Sequence, residues 1–353
     1  MTKAADLANL IGNINAGGGG VNRNIIINGA MNVAQRGTSS TDIASSGYYT
    51  CDRWRIILGS SDGRFPMTQD SSAPSGFANS IKLDCTTADT SIASGEVVIL
   101  QQKIEGQNLQ GFAKGTSDAK PFALSFYVKG NASATYVAEL IDNDNTRHIS
   151  KSFTVGTDWT RVELTYPADT TGAFDDDNEN SLDLMIWLHG GSTYTSGTLD
   201  ETWSSRTDAN RAVGISSFFD STDRTFFITG VQLEVGQNPT EFEHINNFGE
   251  ELARCQRYFE TGLAGASGGL SNGSGYTGGH VWYKTTKRAQ ATLTQSSQTW
   301  NNVYNYGGGD PDIYLGTTGG GYALNDLHGF AHNATNGGAA VSYRFTYTAS
   351  SEI

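Results

Sequence analysis

Phe122, Leu124, Phe126 and Val128 stand at every second position of one short stretch, with Ala123, Ser125 and Tyr127 between them. A period of two belongs to extended chain, whose successive side chains point to opposite sides, so this stretch has one face to bury. The same rhythm returns at 53–58, 80–84, 96–104, 135–141, 147–154, 161–166, 181–189 and 225–235. Strands recurring at about every dozen residues predict a β-sandwich, two sheets around one shared core. Each buried apolar side chain contributes about 1.5–3 kcal/mol against the entropy of ordering it. Between two of the strands, Asp142-Asn143-Asp144-Asn145 predicts a hairpin turn, because Asn and Asp accept the left-handed backbone that such turns need.

Composition points the same way. Only 17% of the 353 residues are charged while 43 are glycine, a mix that suits short strands and tight turns better than helices. The length exceeds what one core usually serves, so two domains are expected. A formal charge of −13, with no cluster of Lys and Arg, excludes a nucleic-acid partner, since phosphate binding needs concentrated positive charge. The acid excess reads as a solvated surface. Cys51, Cys85 and Cys255 are too few and too far apart for a disulfide framework or metal-ligand spacing. Reduced thiols are expected, and a Cys51–Cys85 bridge stays open. No charged-then-apolar leader is visible, and no run reaches the eighteen or so apolar residues of a membrane span. The expectation is a soluble chain without membrane insertion.

At the start, Ala4, Leu7, Leu10 and Ile11 fall at helical spacing, with Thr2 as a cap and Asp6 in the first turn. A helix so short is marginal alone, which makes Leu7, Leu10 and Ile11 the candidate anchor onto a partner or sister chain. Gly17 to Gly20 then form a joint with no strand before them and no Gly-Lys-Ser/Thr ending, so they are not a phosphate loop. Near 249–258, Leu252, Cys255 and Phe259 predict a short connecting helix. Beyond residue 261 Gly, Ser, Asn and Tyr dominate, with strand-like pieces at 280–285, 291–295, 300–306 and 341–348. The expected organisation is 1–21, anchor helix and linker; 22–248, sandwich; 249–353, connector and a smaller β domain.

One series of motifs carries a resemblance. Asn-Arg-Asn-Ile-Ile-Ile-Asn-Gly-Ala-Met-Asn-Val at 22–33, then Ala-Gln-Arg-Gly, is followed by Asp52-Arg53-Trp54, by 101–109 and 122–129, and far downstream by 228–236, Phe242-Glu243-His244 and 249–258. In this order they resemble the recurrent jelly-roll module of phage tail and fibre proteins, itself similar to carbohydrate-binding sandwiches whose first and last strands pair. The resemblance covers 22–258, about two-thirds of the chain. It implies an all-β, jelly-roll β-sandwich plus a smaller C-terminal β domain, with 25–27 lying beside 227–233. It also implies a non-enzymatic virion component made in the host cytoplasm, a tail fibre or appendage subunit bound to other virion proteins, a homotrimer, recognising host-surface polysaccharide. A capsid decoration or head-fibre protein without ligand, and a polysaccharide depolymerase, are the alternatives.

Candidate chemistry is sparse. Asp175, Asp177 and Glu179 lie in an acidic run that suits a hard cation such as calcium, which takes six to eight oxygens, yet the run lacks the central Gly of an EF-hand loop and reads first as a solvated turn. The sandwiches in question often hold a structural calcium with acids in the opening motif and last strand, where this chain has Asn32 and Thr229 or Gly230. No cofactor is therefore expected. His328 and His332 have Gly329 between them and no third ligand near. Gly269-Leu270-Ser271-Asn272-Gly273 has the letters of a nucleophile elbow without its strand and helix. Tyr276, Tyr306 and Tyr322, beside glycines, are the candidate rings for stacking on sugar, whereas Trp282 and Tyr304 are expected in a core.

Overall fold

The alternating stretches become strands with the faces their pattern demands. In the computed structural model, which describes residues 3, 4, 7, 8, 11, 23–268, 275–301, 313–315, 327–336 and 341–353, Phe122, Leu124, Phe126 and Val128 are all fully buried. The chain divides into two compact units, Met1–Phe248 and Gly249–Ile353.

In the larger unit one sheet runs β1 (Ser39–Ile43), β4 (Phe65–Asp70), β5 (Ser80–Asp84), β13 (Thr225–Val235), β7 (Phe122–Gly130), β10 (Thr160–Tyr166). The other runs β12 (Ser204–Ser205), β9 (Arg147–Val155), β8 (Ala134–Asp142), β11 (Asn180–Gly190), β6 (Val97–Glu105), β3 (Arg55–Gly59), β2 (Gly47–Tyr48). Neighbours pair antiparallel throughout, as short connections favour. Both inner faces feed one core that includes Trp54, Phe65, Phe126, Leu140, Ile186 and Phe226. The fold is an all-β jelly-roll sandwich. Cys51 and Cys85 are buried free thiols. Burial pushes both up, Cys85 to about 11.

The opening motif does lie beside the last strand, as Ile25 N–H donates to Leu233 O at 3.1 Å and Val231 N–H to Gly29 O at 3.0 Å. It is not a strand, however. Asn28 and Met31 take positive φ, 59° and 58°, which breaks the ladder, and side-chain amides complete the backbone pairing instead. The Gln102 amide accepts from Ile27 N–H at 2.8 Å and donates to Ile27 O at 2.9 Å. Asn28 accepts from Val33 N–H at 2.9 Å and donates to Val33 O and Asp52 O at 2.8 and 3.0 Å. Gly29 is required here, because a Cβ would stand 2.1 Å from Val231 O. In the turn after β8 the left-handed residue is Thr146, φ 52°.

The smaller unit begins with the helix Phe248–Gln256, mostly within it. Its described strands form two three-stranded sheets, β14 (Phe259–Gly268), β19 (Val341–Ser350), β16 (Thr292–Asn301) and β15 (Gly275–Trp282), β18 (Gly329–Asn336), β17 (Ile313–Leu315). Its described core is Ala264, Tyr283, Ala291, Phe345, Tyr347 and Ala349. Trp282, expected inside, is 72% exposed, because the strand ends there and the next residue, Tyr283, takes the core position. Its ring lies 4.2 Å from that of His280.

Lys3, Ala4, Leu7, Ala8 and Ile11 are helical and exposed, and Leu10 lies outside the described residues. No helix among the described residues is long and apolar enough to cross a membrane.

Candidate functional site

Strand register lays the outer face of the seven-stranded sheet out in rows. One row crosses Arg55 on β3, Gln101 on β6, Met185 on β11 and Glu139 on β8. The row on one side is Ile57, Ile99, Trp187, Val137; on the other it is Lys103, Asp183, Ile141. All are out of phase with the inward Leu100 and Ile186, so they face away from the core.

The Trp187 row is roofed by the chain that follows β11. Tyr194, Leu199, Ala212 and Ile215 pack with Val97, Ile99, Val137, Ile141, Met185 and Trp187 in a second apolar cluster, which extends into the other two rows at Met185 and Ile141. The Arg211 guanidinium lies 4.8 Å from the Trp187 ring centroid and 5.7 Å from that of Tyr194. It donates to Glu139 Oε1 at 3.0 Å and Oε2 at 3.2 Å. Glu139 also accepts from Trp187 Nε1 at 2.7 Å, and His148 spans Glu139 and Asp200 at 2.9 Å on each side. Burial works against the Arg211 charge, and Glu139 more than offsets it, holding the guanidinium above its ordinary pKa. This half of the face is sealed by apolar contact and charge together.

Beyond the roof the groups are polar and some reach solvent. Tyr48 pairs with Arg55 across β2 and β3, and Tyr48, Arg55 and Lys103 are half-buried. Arg55 Nη1 donates to Gln101 Oε1 at 3.0 Å. Asp183 is 5% exposed, and burial raises its carboxyl above the usual range, against the amides of Asn180 and Asn143 and the charge of Lys103. Asn180 Nδ2 donates to Asp183 Oδ1 at 3.0 Å. An amide, a carboxyl, two cations and a phenol ring thus share a rigid strand surface. Such a set pairs with the hydroxyls and ring faces of a polar ligand.

The outer face of the six-stranded sheet is occupied by the chain itself. Phe242 and His244, just past β13, each pack on Phe77 with centroids 5.0 Å apart. Glu243 N–H donates to Gln232 Oε1 at 2.7 Å, and Thr240 N–H to Glu234 Oε1 at 2.7 Å.

The residues singled out from sequence lie elsewhere. Asp175, Asp177 and Glu179 are exposed, with Asp175 N–H bonded to Asp144 Oδ2 at 3.0 Å and Glu179 N–H to Asp177 Oδ1 at 2.9 Å. Among the described residues no group of three or more His, Cys, Asp or Glu is placed to hold a metal. Oxygens do converge at Asp142, Asp169, Thr171 and Gly172, but the ammonium of Lys114 fills that place. Nor do the positions where the resemblance would put calcium fit that ion. Asn32 Oδ1 accepts from Asn79 Nδ2 at 3.0 Å and Thr229 Oγ1 donates to Asn79 O at 2.7 Å, so neither supplies a carboxylate. Tyr276 belongs to β15 with its side chain outside the described residues, and Tyr304, Tyr306, Tyr322 and 269–273 also lie outside them. Sequence reasoning passed over Tyr48, Arg55, Gln101 and Asp183. One signal was there: an acid at the second position of the otherwise apolar run Leu182 to Leu188.

No family model matches this chain, and no curated protein matches it. Solved structures do. A CBM4 structure shares 14% identity over 59% of this chain and 97% of its own, with a TM-score of 0.32. TmCBM61, solved in complex with β-1,4-galactotriose, shares 9% identity over 60% and 99%, with a TM-score of 0.33. The C-terminal family 22 carbohydrate-binding module of Clostridium thermocellum Xyn10B shares 13% identity over 63% and 99%, with a TM-score of 0.30. The sandwich is defined by its own strand pairing.

Proposed function

We propose that this chain is a non-enzymatic subunit of a phage appendage, a tail fibre or its like, whose sandwich recognises a glycan on the host surface. The observation that carries the ligand half of this reading is the outer face of the seven-stranded sheet. There Tyr48, Arg55, Gln101, Lys103 and Asp183 gather on β2, β3, β6 and β11, combining a ring with donors and acceptors matched to sugar hydroxyls. The virion half rests on the collinear motifs from 22 to 258. Residues 1–21, where Leu7 and Ile11 are exposed at 57% and 49%, supply the attachment to the particle or to sister chains. Single glycan sites are weak, and a homotrimer would raise avidity by roughly 10² to 10⁴ without new contacts.

The test is adsorption. Purified chain is expected to bind host cells and to compete with phage for them, and Gln101→Ala is expected to lower that binding about tenfold through loss of a buried hydrogen-bonding amide. Chain that sits on the particle yet never adsorbs to cells is a decoration protein. Release of reducing sugar from host polysaccharide makes it a depolymerase.

A further inference from the structure

We infer that the ligand of this face is an acidic saccharide, one whose carboxylate is received by the guanidinium of Arg55; this rests on the glycan reading above. The argument begins with how this chain uses arginine. In a protein of formal charge −13, the partly buried guanidinium groups of the larger unit are mostly neutralised by acids. Arg147 lies 2.8 Å from Asp169, Arg161 2.5 Å from Glu163 and Arg211 3.0 Å from Glu139, and Arg224 is paired with Asp220. Arg55 is not: like Arg64, which donates to the carbonyls of Ser61 and Gly63, it meets no acid; it is half-buried on β3, next to the edge strand, and its bond is to a neutral amide oxygen, Gln101 Oε1.

The acids around it are already engaged. Glu139, in the same row, is held by Arg211, His148 and Trp187. Glu105 accepts from the Gln107 amide. Asp183, one row away, is buried and accepts from the Asn180 amide at 3.0 Å. Lys103 adds a second cation on β6, next to Asp183 in register. The Arg55 guanidinium therefore sits on a negative molecule in contact with an amide and no carboxylate. A guanidinium presents five donors in a planar fork, and binding through Nη1 to one amide leaves the rest of that fork for the two oxygens of a carboxylate. Tyr48 lies next to Arg55 across the strand pair, and its ring has the Arg36 guanidinium 5.1 Å from its centroid, so any sugar at Arg55 meets this ring and its cation at the edge of the site. A neutral saccharide would use Gln101 and Asp183 and leave the guanidinium without a counter-charge.

Affinity electrophoresis of the full chain tests this, with polygalacturonate, alginate and hyaluronan as probes, each beside its carboxyl-esterified form. Retardation by at least one acid polymer is expected, about tenfold weaker once its carboxylates are esterified, in keeping with a charge-assisted pair. It is also expected to fall as salt is added. Arg55→Gln should abolish the difference between the acid form and its ester, whatever it does to the two together, while Arg55→Lys should recover part of the difference. Equal retardation by acid and ester, or an Arg55→Gln variant that still distinguishes them, overturns the acidic ligand and leaves glycan binding intact. Absence of retardation by every acid and ester form overturns both. Circular dichroism of each variant checks that the sandwich has folded.

Discussion

Lys114 in the larger unit and Lys287 in the smaller are both sealed from water, yet they are held in unequal ways. The Lys114 ammonium lies 2.6 Å from Asp142 and 3.1 Å from Asp169, and donates to Thr171 O and Gly172 O at 2.8 Å each. Phe174 and Trp203 face it at 5.2 and 5.4 Å. Lys287 has one carboxylate, Glu260 at 2.9 Å, the carbonyl of Gln256, and the Tyr283 ring at 5.0 Å. The consequence is electrostatic. Burial lowers the Lys287 pKa more than Glu260 raises it. One counter-charge is too few to hold a buried ammonium at its ordinary pKa. The location differs as well. In the sandwich the ion cluster ties the chain at 169–172 to the start of the β8–β9 turn, beside a large apolar core. In the smaller unit the pair adjoins a core of few aliphatic residues, with Tyr347 donating to Glu260 at 2.7 Å.

Replacing each lysine by methionine is the strongest way to break this comparison. Lys114→Met strands two buried carboxylates and is expected to cost about 3–5 kcal/mol, the range for a buried pair that loses one partner. Lys287→Met strands one, which keeps the Tyr347 hydroxyl and the Lys284 N–H, so about 1.5–3 kcal/mol is expected. Hydrogen exchange resolved by peptide assigns the loss to each unit. A larger loss at Lys287 would mean that the small core depends on its ion pair more than counter-charges suggest.

Titration sharpens the contrast because the two clusters respond at opposite ends of the pH scale. Burial pushes the Asp169 carboxyl up, but Arg147, the Thr171 N–H and Lys114 together bring it below its ordinary value. Its folded pKa is depressed, so its stabilisation is present above the unfolded pKa and lost as pH falls through the folded one. Lys287 is also depressed, but it is a base. Between its folded pKa and the ordinary lysine value the unfolded chain binds more protons, so the smaller unit gains stability as pH rises through that window. Asp169→Asn should cost about 1–3 kcal/mol near neutrality and converge on the parent in acid. Lys287→Met should close part of its deficit in acid relative to alkali. Denaturant midpoints across pH, read unit by unit, check both signs.

These ion clusters also mark how far the sequence could be read. The nine alternating stretches become strands because period two is a local property. The short edge strands Ser39–Ile43, Gly47–Tyr48 and Ser204–Ser205 are polar and leave no such trace, and Pro66 masks Phe65–Asp70. Ile25 to Ile27 look like a strand, yet their pairing is completed by the side-chain amides of Gln102 and Asn24, which propensity cannot anticipate. The site is less legible still. Tyr48, Arg55, Gln101 and Asp183 come from four strands, and only register brings them together, since a slip of one residue would turn each to the other face. The acidic run at 175–179 reads from sequence first as a solvated turn and only second as a cation site, and its charges are adjacent in sequence. The oxygen cage assembled at Lys114 draws on positions 114, 142, 169, 171 and 172.

Asp183 extends the series from two counter-charges, to one, to none in direct contact: its partners are neutral amides, Asn180 at 3.0 Å with Asn143 and Gln101, and Lys103 acts only as a nearby charge. Its folded pKa is raised, so between the unfolded and folded values the native chain binds the extra proton and stability falls as pH rises, the penalty being complete above the folded pKa. Asp183→Asn removes the titration while keeping the shape and the Asn180 contact. The variant should match the parent in acid and exceed it by about 1 kcal/mol at neutral pH, a difference that thermal unfolding at two pH values can read. A variant that gains stability and also keeps full polysaccharide affinity would show that Asp183 is no part of the binding surface, leaving Arg55 and Gln101 to carry it.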